Sequence, residues 1–276
     1  MTRSGLSKIL LAIPVATAGL TFSCSSSAGP QPGTPAYFWS AAKETFAASD
    51  YVKTSEHLDK ILASDNEYTA RARPWRLILA SGMARGYMDV ADNLETGVRA
   101  KKADPGGFRK YISNSRSAAG RLSLQFAEMF MRFQKGKDDP VALAFSYPSG
   151  SAAPIQELTK ASAGMPLQGA EIEGAQKRAV ERAVLMETCR AAGAPDDTAK
   201  TLDMFKSGNP QVSRATFLTG MTDSLYQLAQ LYDRRKMDDP EKLKVFSNLA
   251  LTSLKDVPET KQTKELAEKI QKGMKK

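Results

Sequence analysis

The amino-acid sequence predicts an all-α protein built from stacked antiparallel helix pairs. Apolar residues recur three and four positions apart through most of the chain, a spacing that places them on one face of a helix. Strand patterns are nearly absent, because no alternating apolar and polar run is bounded by Asn-Gly or Asp-Gly. Short sequences rich in Asp, Gly and Pro separate the periodic segments, so we expect successive helices to fold back on one another.

Residues 1–23 have the pattern of an export signal. Arg3 and Lys8 precede an apolar run that is shorter than the roughly 20 residues a membrane-spanning helix needs. Pro14 interrupts this run and disfavours a stable helix there. The sequence therefore predicts a signal peptide, with residues 36–276 forming the folded domain.

Cys24 resembles the lipidated cysteine of bacterial lipoproteins. The usual Leu–Ala/Ser–Gly/Ala–Cys box is altered here, because residues 21–23 are Thr-Phe-Ser and Leu20 stands one place early. Cleavage after Ala18, in the sequence Ala-Thr-Ala, is the alternative. Residues 24–35 are polar and contain Pro and Gly, which predicts a flexible N-terminal tether. The resemblance implies an envelope protein that faces the periplasm and is held in a lipid bilayer through Cys24, with the outer membrane as the expected site.

The composition is that of an ordinary globular protein. Hydrophobic residues make up 42% and charged residues 25% of the 276 residues. The formal net charge is +9, and removal of the two basic residues of the signal leaves +7. We expect no nucleic-acid partner for an exported chain. The second cysteine, Cys189, lies at a helical spacing from Leu185, so we expect it to be buried in the core. The Lys-rich residues 261–276 predict a solvated helix, with an anionic lipid or polymer surface as the alternative partner.

The predicted helices follow one another along the chain. Ser49-Asp50 separates the first two as a turn and helix cap. Asp138-Asp139-Pro140, Asp196-Asp197 and Asp238-Asp239-Pro240 are interpreted as helix starts, two of them with Pro at the first helical position. Residues 146–169 predict a long loop with one short helix. The helical segments are expected within residues 35–50, 49–65, 68–86, 86–107, 108–137, 170–193, 195–208, 211–236, 238–256 and 258–276.

Three stretches place large, small and aromatic residues at recurring helical positions. They are Phe38, Ala41, Ala42, Phe46, Asp50, Tyr51, Leu58 and Ile61; Trp75, Gly82, Tyr87 and Ala91, up to Pro105; and Leu228, Ala229, Tyr232, Pro240, Leu243, Phe246, Ala250 and Pro258. This pattern resembles the tetratricopeptide-repeat superfamily, whose units of about 34 residues pair two helices. Thr54 stands where Ala is usual in that family, and Asn66 where Pro is usual. A generic helical bundle is the alternative fold.

The resemblance implies a helical-repeat scaffold with a concave face that binds a protein or presents a substrate. The chain is also similar to repeat lipoproteins that partner envelope transporters, so an envelope protein such as a transporter component is the implied partner.

One short sequence carries candidate binding residues. Arg71, Arg73 and Arg76 surround Trp75, and arginines beside an aromatic ring are able to bind an anionic ligand. In the alternative interpretation, Trp75 belongs to the core and the arginines extend outward to solvent.

The sequence contains no recognisable catalytic cluster, and we expect a non-enzymatic protein without metal or cofactor. His57 is the single histidine, so no second imidazole is available for a metal site. Glu171 and Glu173 are two positions apart and point to different sides of a helix. Two other functions remain open: an envelope enzyme acting on cell-wall glycan, which needs a buried glutamate of raised pKa in a cleft, and a periplasmic small-molecule carrier, which needs a closed apolar cavity.

Overall fold

The computed structural model describes residues 29–143, 145, 150–206, 208 and 210–274. Within these residues the chain forms ten α-helices and two strands of two residues each, which confirms the all-α prediction. The helices are α1 (Pro35–Ala47), α2 (Tyr51–Leu62), α3 (Thr69–Lys101), α4 (Phe108–Gln134), α5 (Gln156–Ser162), α6 (Gly169–Ala191), α7 (Thr198–Lys206), α8 (Arg214–Ala229), α9 (Pro240–Ser253) and α10 (Lys261–Met274). The strands are β1 (Val141–Ala142) and β2 (Gln211–Val212).

The first helix pair forms where the sequence predicts it. The Thr34 hydroxyl accepts a hydrogen bond from the backbone N–H of Tyr37, and Pro35 occupies the start of α1. Ser49 has a positive φ of 58° and turns the chain, and the Asp50 carboxylate then accepts from the N–H of Lys53 at 3.2 Å. This confirms the predicted turn and cap, and α2 packs against α1.

The central element is α3, which is 33 residues and therefore about 50 Å long. It packs against α2, α4, α5, α6 and α8. In the second stretch of the repeat resemblance, residues 75–101 therefore belong to one continuous helix rather than to a helix pair. The third stretch does correspond to two packed consecutive helices, α8 and α9, with the rings of Tyr232 and Phe246 5.3 Å apart.

Two glycines allow α6 to approach α3 closely. A Cβ atom on Gly82 would lie 2.7 Å from the Cα of Val184, and one on Gly86 would lie 2.5 Å from the Cα of Val180. Both distances are far below van der Waals contact and both involve backbone atoms. The two helices therefore pack backbone to backbone along this seam, one turn of α3 apart.

The core on the α1 side of α3 is an aromatic cluster centred on Phe145. Its ring centroid lies 5.1 Å from those of Trp39 and Phe46 and 5.0 Å from that of Trp75. Phe205 of α7 completes the cluster at 6.0 Å from Trp75. Such offset and edge-on ring pairs add to the stabilisation that comes from burying the rings.

The prediction of a helix start at Asp138-Asp139-Pro140 is wrong. These residues lead into β1, whose Val141 pairs with Val212 of β2 in an antiparallel ladder. The Asp139 carboxylate does cap a helix, but that helix is α8. The carboxylate accepts a hydrogen bond from the backbone N–H of Arg214, the first residue of α8, at 3.0 Å.

The other two predicted helix starts are confirmed. Asp197 accepts from the N–H of Lys200 at 2.9 Å at the start of α7. Asp239 accepts from the N–H of Lys242 at 3.0 Å at the start of α9, where Pro240 takes the first helical position.

The segment from 146 to 169 contains one short helix among its described residues. Residues 146–149 lie outside the described part of the chain, and α5 packs against α3. At Gly97 of α3 a Cβ atom would lie only 2.0 Å from the carbonyl oxygen of Ala161, so α5 sits directly on that helix. Gln168 and Glu171 then start α6 through a reciprocal capping box.

Candidate ligand-binding groove

A groove of about 500 Å³ opens between the end of α2, the start of α3 and the end of α4. We call it the basic groove, because four of its side chains are cationic and one is anionic. It is lined by Leu62, Ala63, Ser64, Asp65, Thr69, Arg73, Arg76, Leu77, Met129, Arg132, Phe133, Lys135 and Gly136.

Asn66 fixes the connection from α2 to α3 at one edge of the basic groove. Its side-chain amide donates to the carbonyl oxygens of Ile61 at 2.8 Å and Ser64 at 2.9 Å. Its side-chain oxygen accepts from the N–H of Tyr68, and its own N–H donates to the Thr69 hydroxyl. Asn66 therefore closes the last turn of α2 and starts α3, at the position where the repeat family usually has Pro.

Arg76 forms part of the groove wall and is held rigidly. Its side chain is 5% exposed, and its Nε and Nη2 atoms donate to the two carboxylate oxygens of Asp59 at 2.7 and 3.1 Å. Nη2 also lies 3.4 Å from the side-chain oxygen of Gln125 on α4. The third nitrogen, Nη1, is buried and makes no hydrogen bond with any described residue. Arg76 thus joins α2, α3 and α4 and keeps one donor without a protein acceptor.

The other cations of the basic groove are more exposed. Arg73 lies 3.6 Å from a carboxylate oxygen of Asp138, and Arg132 pairs with Glu128 one turn earlier on α4. Pairs this exposed contribute only about 0–1 kcal/mol, since water and salt screen them. Both arginines are therefore able to exchange their carboxylates for a bound anion at little cost.

Arg214 neutralises the end of α4 behind the groove. The last carbonyl groups of a helix carry negative partial charge and would repel an anion. The Nη2 atom of Arg214 donates to the carbonyl oxygens of Phe133 and Gln134 at 3.0 and 2.9 Å. Its guanidinium also lies over the Phe133 ring, 5.1 Å from the centroid. The end of α4 is therefore supplied with a positive charge.

The structure divides the predicted binding residues into three groups. Arg73 and Arg76 line the basic groove, whereas Arg71 is exposed and does not. Trp75 is 0% exposed and lies in the aromatic core, so its predicted contact with a ligand is wrong and its alternative role in the core is confirmed. The reason is geometric, because Trp75 and Arg76 are about 100° apart around the helix axis.

Sequence reasoning did not identify the residues at the end of α4 that complete the groove. Arg132, Phe133 and Lys135 are more than 50 positions from Arg76 and form no motif with it. A basic residue pair at the end of an amphipathic helix is common on solvated surfaces, so nothing in the local sequence marks these residues as special.

Glu187 of α6 is the most deeply buried acidic side chain of the described residues, at 0% exposure, and it is held in a network of ions. It pairs with Arg190 and, at 3.4 Å, with Arg85, and it accepts a hydrogen bond from the Ser224 hydroxyl. Arg190 in turn donates to Asp223 at 2.6 Å. A carboxylate so enclosed cannot touch a glycan, and its partners give it a structural role that joins α3, α6 and α8.

Withdrawal from water raises the pKa of several side chains elsewhere in the described residues, among them Asp89 and Cys189. Burial raises the pKa of the half-buried Asp89 carboxyl on α3, although Arg85 and Arg182 oppose the shift. Burial also raises the pKa of the Cys189 thiol, and the prediction that this cysteine is buried is confirmed. Neither residue lines the basic groove.

The remaining sequence predictions concern His57, metals and the membrane. His57 is half-buried, and its ring stacks on Phe38 with centroids 6.2 Å apart. Across the described ranges, no three His, Cys, Asp or Glu side chains are grouped to hold a metal ion. In the same ranges no helix combines the length and the apolar character needed to cross a membrane. Cys24 lies outside the described residues, so its lipidation stays a prediction.

Comparison with known proteins yields no relatives. No protein-family model matches the chain, and no match is found among curated proteins or solved structures.

Proposed function

We propose that this chain is a lipid-anchored, non-enzymatic helical scaffold of the bacterial cell envelope, which binds a partner or presents a ligand at the basic groove. The observation that carries the proposal is the groove itself. It combines fixed and exposed cations with an apolar wall, and it opens at the surface of a body in which α2, α4, α5, α6 and α8 pack on α3.

The rigidity of the groove supports a binding role. Asn66 fixes one edge through its hydrogen bonds, and Arg76 ties three helices together through Asp59 and Gln125. A binding site of this kind loses little side-chain freedom when it is occupied, which favours affinity.

The membrane anchor in this proposal rests on the sequence. Residues 1–23 have an export-signal pattern that ends at Cys24, and the folded domain begins about ten residues later, at Thr34 and Pro35. A chain of that length, rich in Ser, Gly and Pro, holds a domain close to a bilayer without fixing its orientation.

The alternative of an enzyme acting on cell-wall glycan has weaker support. It requires an acidic side chain of raised pKa that a sugar is able to reach. Glu187 is enclosed by arginines, and the carboxyl of raised pKa, Asp89, does not line the basic groove. The alternative of a small-molecule carrier is favoured by the volume of the groove alone, which is within the range of ligand sites, because the groove is open and basic rather than a closed apolar cavity.

The experiment that tests the proposed function has two readouts. The first is the mass of the N-terminal peptide of the native protein, where a di- or triacyl group on Cys24 is expected. The second uses a photo-crosslinking amino acid at Ser64, on the exposed edge of the groove, with Val245 as the matched control. Val245 is 61% exposed on α9 and does not line the groove.

We expect a stoichiometric cross-linked companion from Ser64 and none from Val245. An unmodified N-terminus together with identical cross-linking from both positions would contradict the proposal. So would turnover of cell-wall glycan by the purified protein.

A further inference from the structure

We infer that the basic groove binds a small amphipathic phosphate, meaning an aliphatic chain that ends in a phosphate group. This ligand assignment rests on the function proposed above and adds the chemical class of the ligand. It follows from the charge, the buried donor and the apolar wall of the groove, taken in turn.

The charge of the groove lining favours an anion. Three guanidinium groups and the ammonium of Lys135 face a single lining carboxylate, that of Asp65. The carboxylates that pair with Arg73 and Arg132 belong to residues outside the lining, and both pairs are exposed to water. A phosphate entering the groove would replace these weak pairs with charge-assisted hydrogen bonds in a less solvated place.

Arg76 provides the fixed part of the anion site. Its Nε and Nη2 atoms are occupied by Asp59, and this contact orients the guanidinium plane within the groove wall. Its Nη1 atom is a buried donor without an acceptor among the described residues, an arrangement that costs free energy unless an acceptor is supplied. Because Nη1 is closed off from water, a phosphate oxygen at this wall reaches it only after a shift of the side chains that cover it.

Phosphate fits these cations better than a carboxylate does. A terminal phosphate offers three oxygens and up to two negative charges, whereas a carboxylate offers two oxygens and one charge. Planar guanidinium groups bind such oxygens in pairs, as Arg73 and Arg132 are able to do, whereas Arg76 has only Nη1 left beside Asp59.

The rest of the groove suits an aliphatic chain. Its wall contains the buried side chains of Leu77 and Phe133 and the half-buried side chains of Leu62 and Met129. A volume of about 500 Å³ is typical of sites for single small molecules. A flat bilayer surface does not enter such a concavity, so the assignment is to a free molecule rather than to headgroups within a membrane.

The test is a titration of the full chain in phosphatidylcholine nanodiscs, followed by calorimetry, with empty nanodiscs as the blank. The probes are inorganic phosphate, butyl phosphate, octyl phosphate and octanoate. Octyl phosphate is expected to bind tightest, with affinity rising by up to about fourfold for each methylene that becomes buried. Octyl phosphate that binds no tighter than inorganic phosphate or octanoate would overturn the assignment.

Paired variants on α4 locate the site. Replacing Arg132 and Lys135 together by Gln should weaken octyl phosphate binding by about tenfold or more, since two charged donors are lost. Replacing Arg109 and Lys110 by Gln makes the same charge change on the same helix, about 35 Å away, and should leave the affinity unchanged. Equal effects of the two double variants would overturn the site.

Further comparisons distinguish failure of the ligand assignment from failure of the proposed function. In a buffer whose salt screens the bilayer charge, octyl phosphate affinity that drops when the nanodisc lipid is changed to phosphatidylglycerol would show that bilayer headgroups occupy the groove and would overturn the free-molecule assignment. Absence of octyl phosphate binding, with the Ser64 cross-link and the acylated Cys24 retained, would overturn the ligand class and leave the proposed function standing. Loss of the cross-link and of the acyl mass would overturn the function itself.

Discussion

The side-chain carboxylate of Asp139 accepts a hydrogen bond at 3.0 Å from the backbone N–H of Arg214, which lies 75 positions later in the chain. This contact places the residues before β1 against the first turn of α8. Arg214 makes a second connection, because its guanidinium donates to two carbonyl groups at the end of α4. The start of α8 is therefore joined to the end of α4 and to the residues that follow it, and Arg214 is the donor in each of these hydrogen bonds.

Removal of the Asp139 side chain should destabilise the fold. Asp139→Ala leaves an N–H at the start of α8 without its acceptor, and we expect a loss of about 1 kcal/mol in the free energy of unfolding. Asp138→Ala is the neighbouring control. It should change the free energy of unfolding by less, because the ion pair of Asp138 with Arg73 is long and exposed. Urea unfolding followed by circular dichroism measures both, and equal losses would contradict the cap.

Phe145 should be among the most costly core residues to truncate. Its ring is in contact with Trp39, Phe46 and Trp75, so Phe145→Ala leaves a cavity between α1 and α3. We expect a loss of about 3–5 kcal/mol, and a distinctly smaller loss for Phe145→Leu, which fills part of the space. Unfolding of the two variants at the same urea concentration as the parent would contradict this packing of Phe145.

The seam between α3 and α6 should not tolerate a methyl group. Gly86→Ala would place Cβ 2.5 Å from the Cα of Val180, so the helices must separate, at a cost of about 1–3 kcal/mol. Gly174→Ala on α6 is the matched control, because its Cβ would meet only the end of the Arg178 side chain at 3.5 Å. That change should be neutral or should stabilise by up to about 1 kcal/mol through helix propensity. Thermal unfolding of both variants distinguishes the two cases.

Removing the charge of Glu187 should lower the free energy of unfolding strongly. Glu187→Gln removes the charge that faces Arg85 and Arg190 inside the protein, and we expect a loss of about 3–5 kcal/mol. Glu128→Gln breaks an ion pair that is exposed on the surface of α4, where the change should stay within about 0.5 kcal/mol. Chemical denaturation of the two variants under the same salt conditions tests the difference, which should be well outside the error.

Because of Asp89, the free energy of unfolding should decrease as the pH rises through the acid range, which is opposite to the usual effect of a carboxylate. Because burial raises the pKa of its carboxyl above the ordinary 3.8, the folded chain holds a proton at pH values where the unfolded chain has lost it. The free energy of unfolding therefore falls as pH rises from 3.8 through the raised pKa, and the penalty persists at neutral pH. We expect Asp89→Asn to be more stable than the parent at pH 7, with the advantage shrinking toward pH 3.8.

Asp50 provides the contrasting control for this pH dependence. The pKa of its carboxyl is lowered, because hydrogen bonds and the charge of Lys53 outweigh the effect of burial. Asp50→Asn should therefore bring no gain in stability at pH 7. Unfolding curves of both variants across the acid range test both pH dependences. A stability advantage of Asp89→Asn that grows on acidification would contradict the one expected for Asp89.

Much of the fold was predictable because helices are specified by contacts between near neighbours. Apolar residues at a spacing of three and four predicted the helices, and Asp50, Asp197 and Asp239 marked starts that the structure confirms. The prediction at Asp139 was wrong because the local sequence of an acidic residue followed by Pro does not show which helix its side chain caps. The partner of that side chain depends on where residue 214 lies in space.

The length of α3 is a second feature that the local sequence pattern did not predict. Gly82 and Gly86 favour a break when they are considered alone, since glycine weakens isolated helices. In the structure the same glycines permit the close approach of α6, and the packing gained there keeps α3 continuous through them.

By itself, the sequence determined the helical class, most helix starts, and the export-signal pattern ahead of Cys24, because each depends on residues within a few positions of one another. Only the tertiary structure decided that Trp75 faces the core while Arg76 faces the groove, and that Arg132 and Lys135 join Arg73 there. A groove is a relation between helices far apart in sequence. It exists only once burial of apolar faces has set how those helices pack.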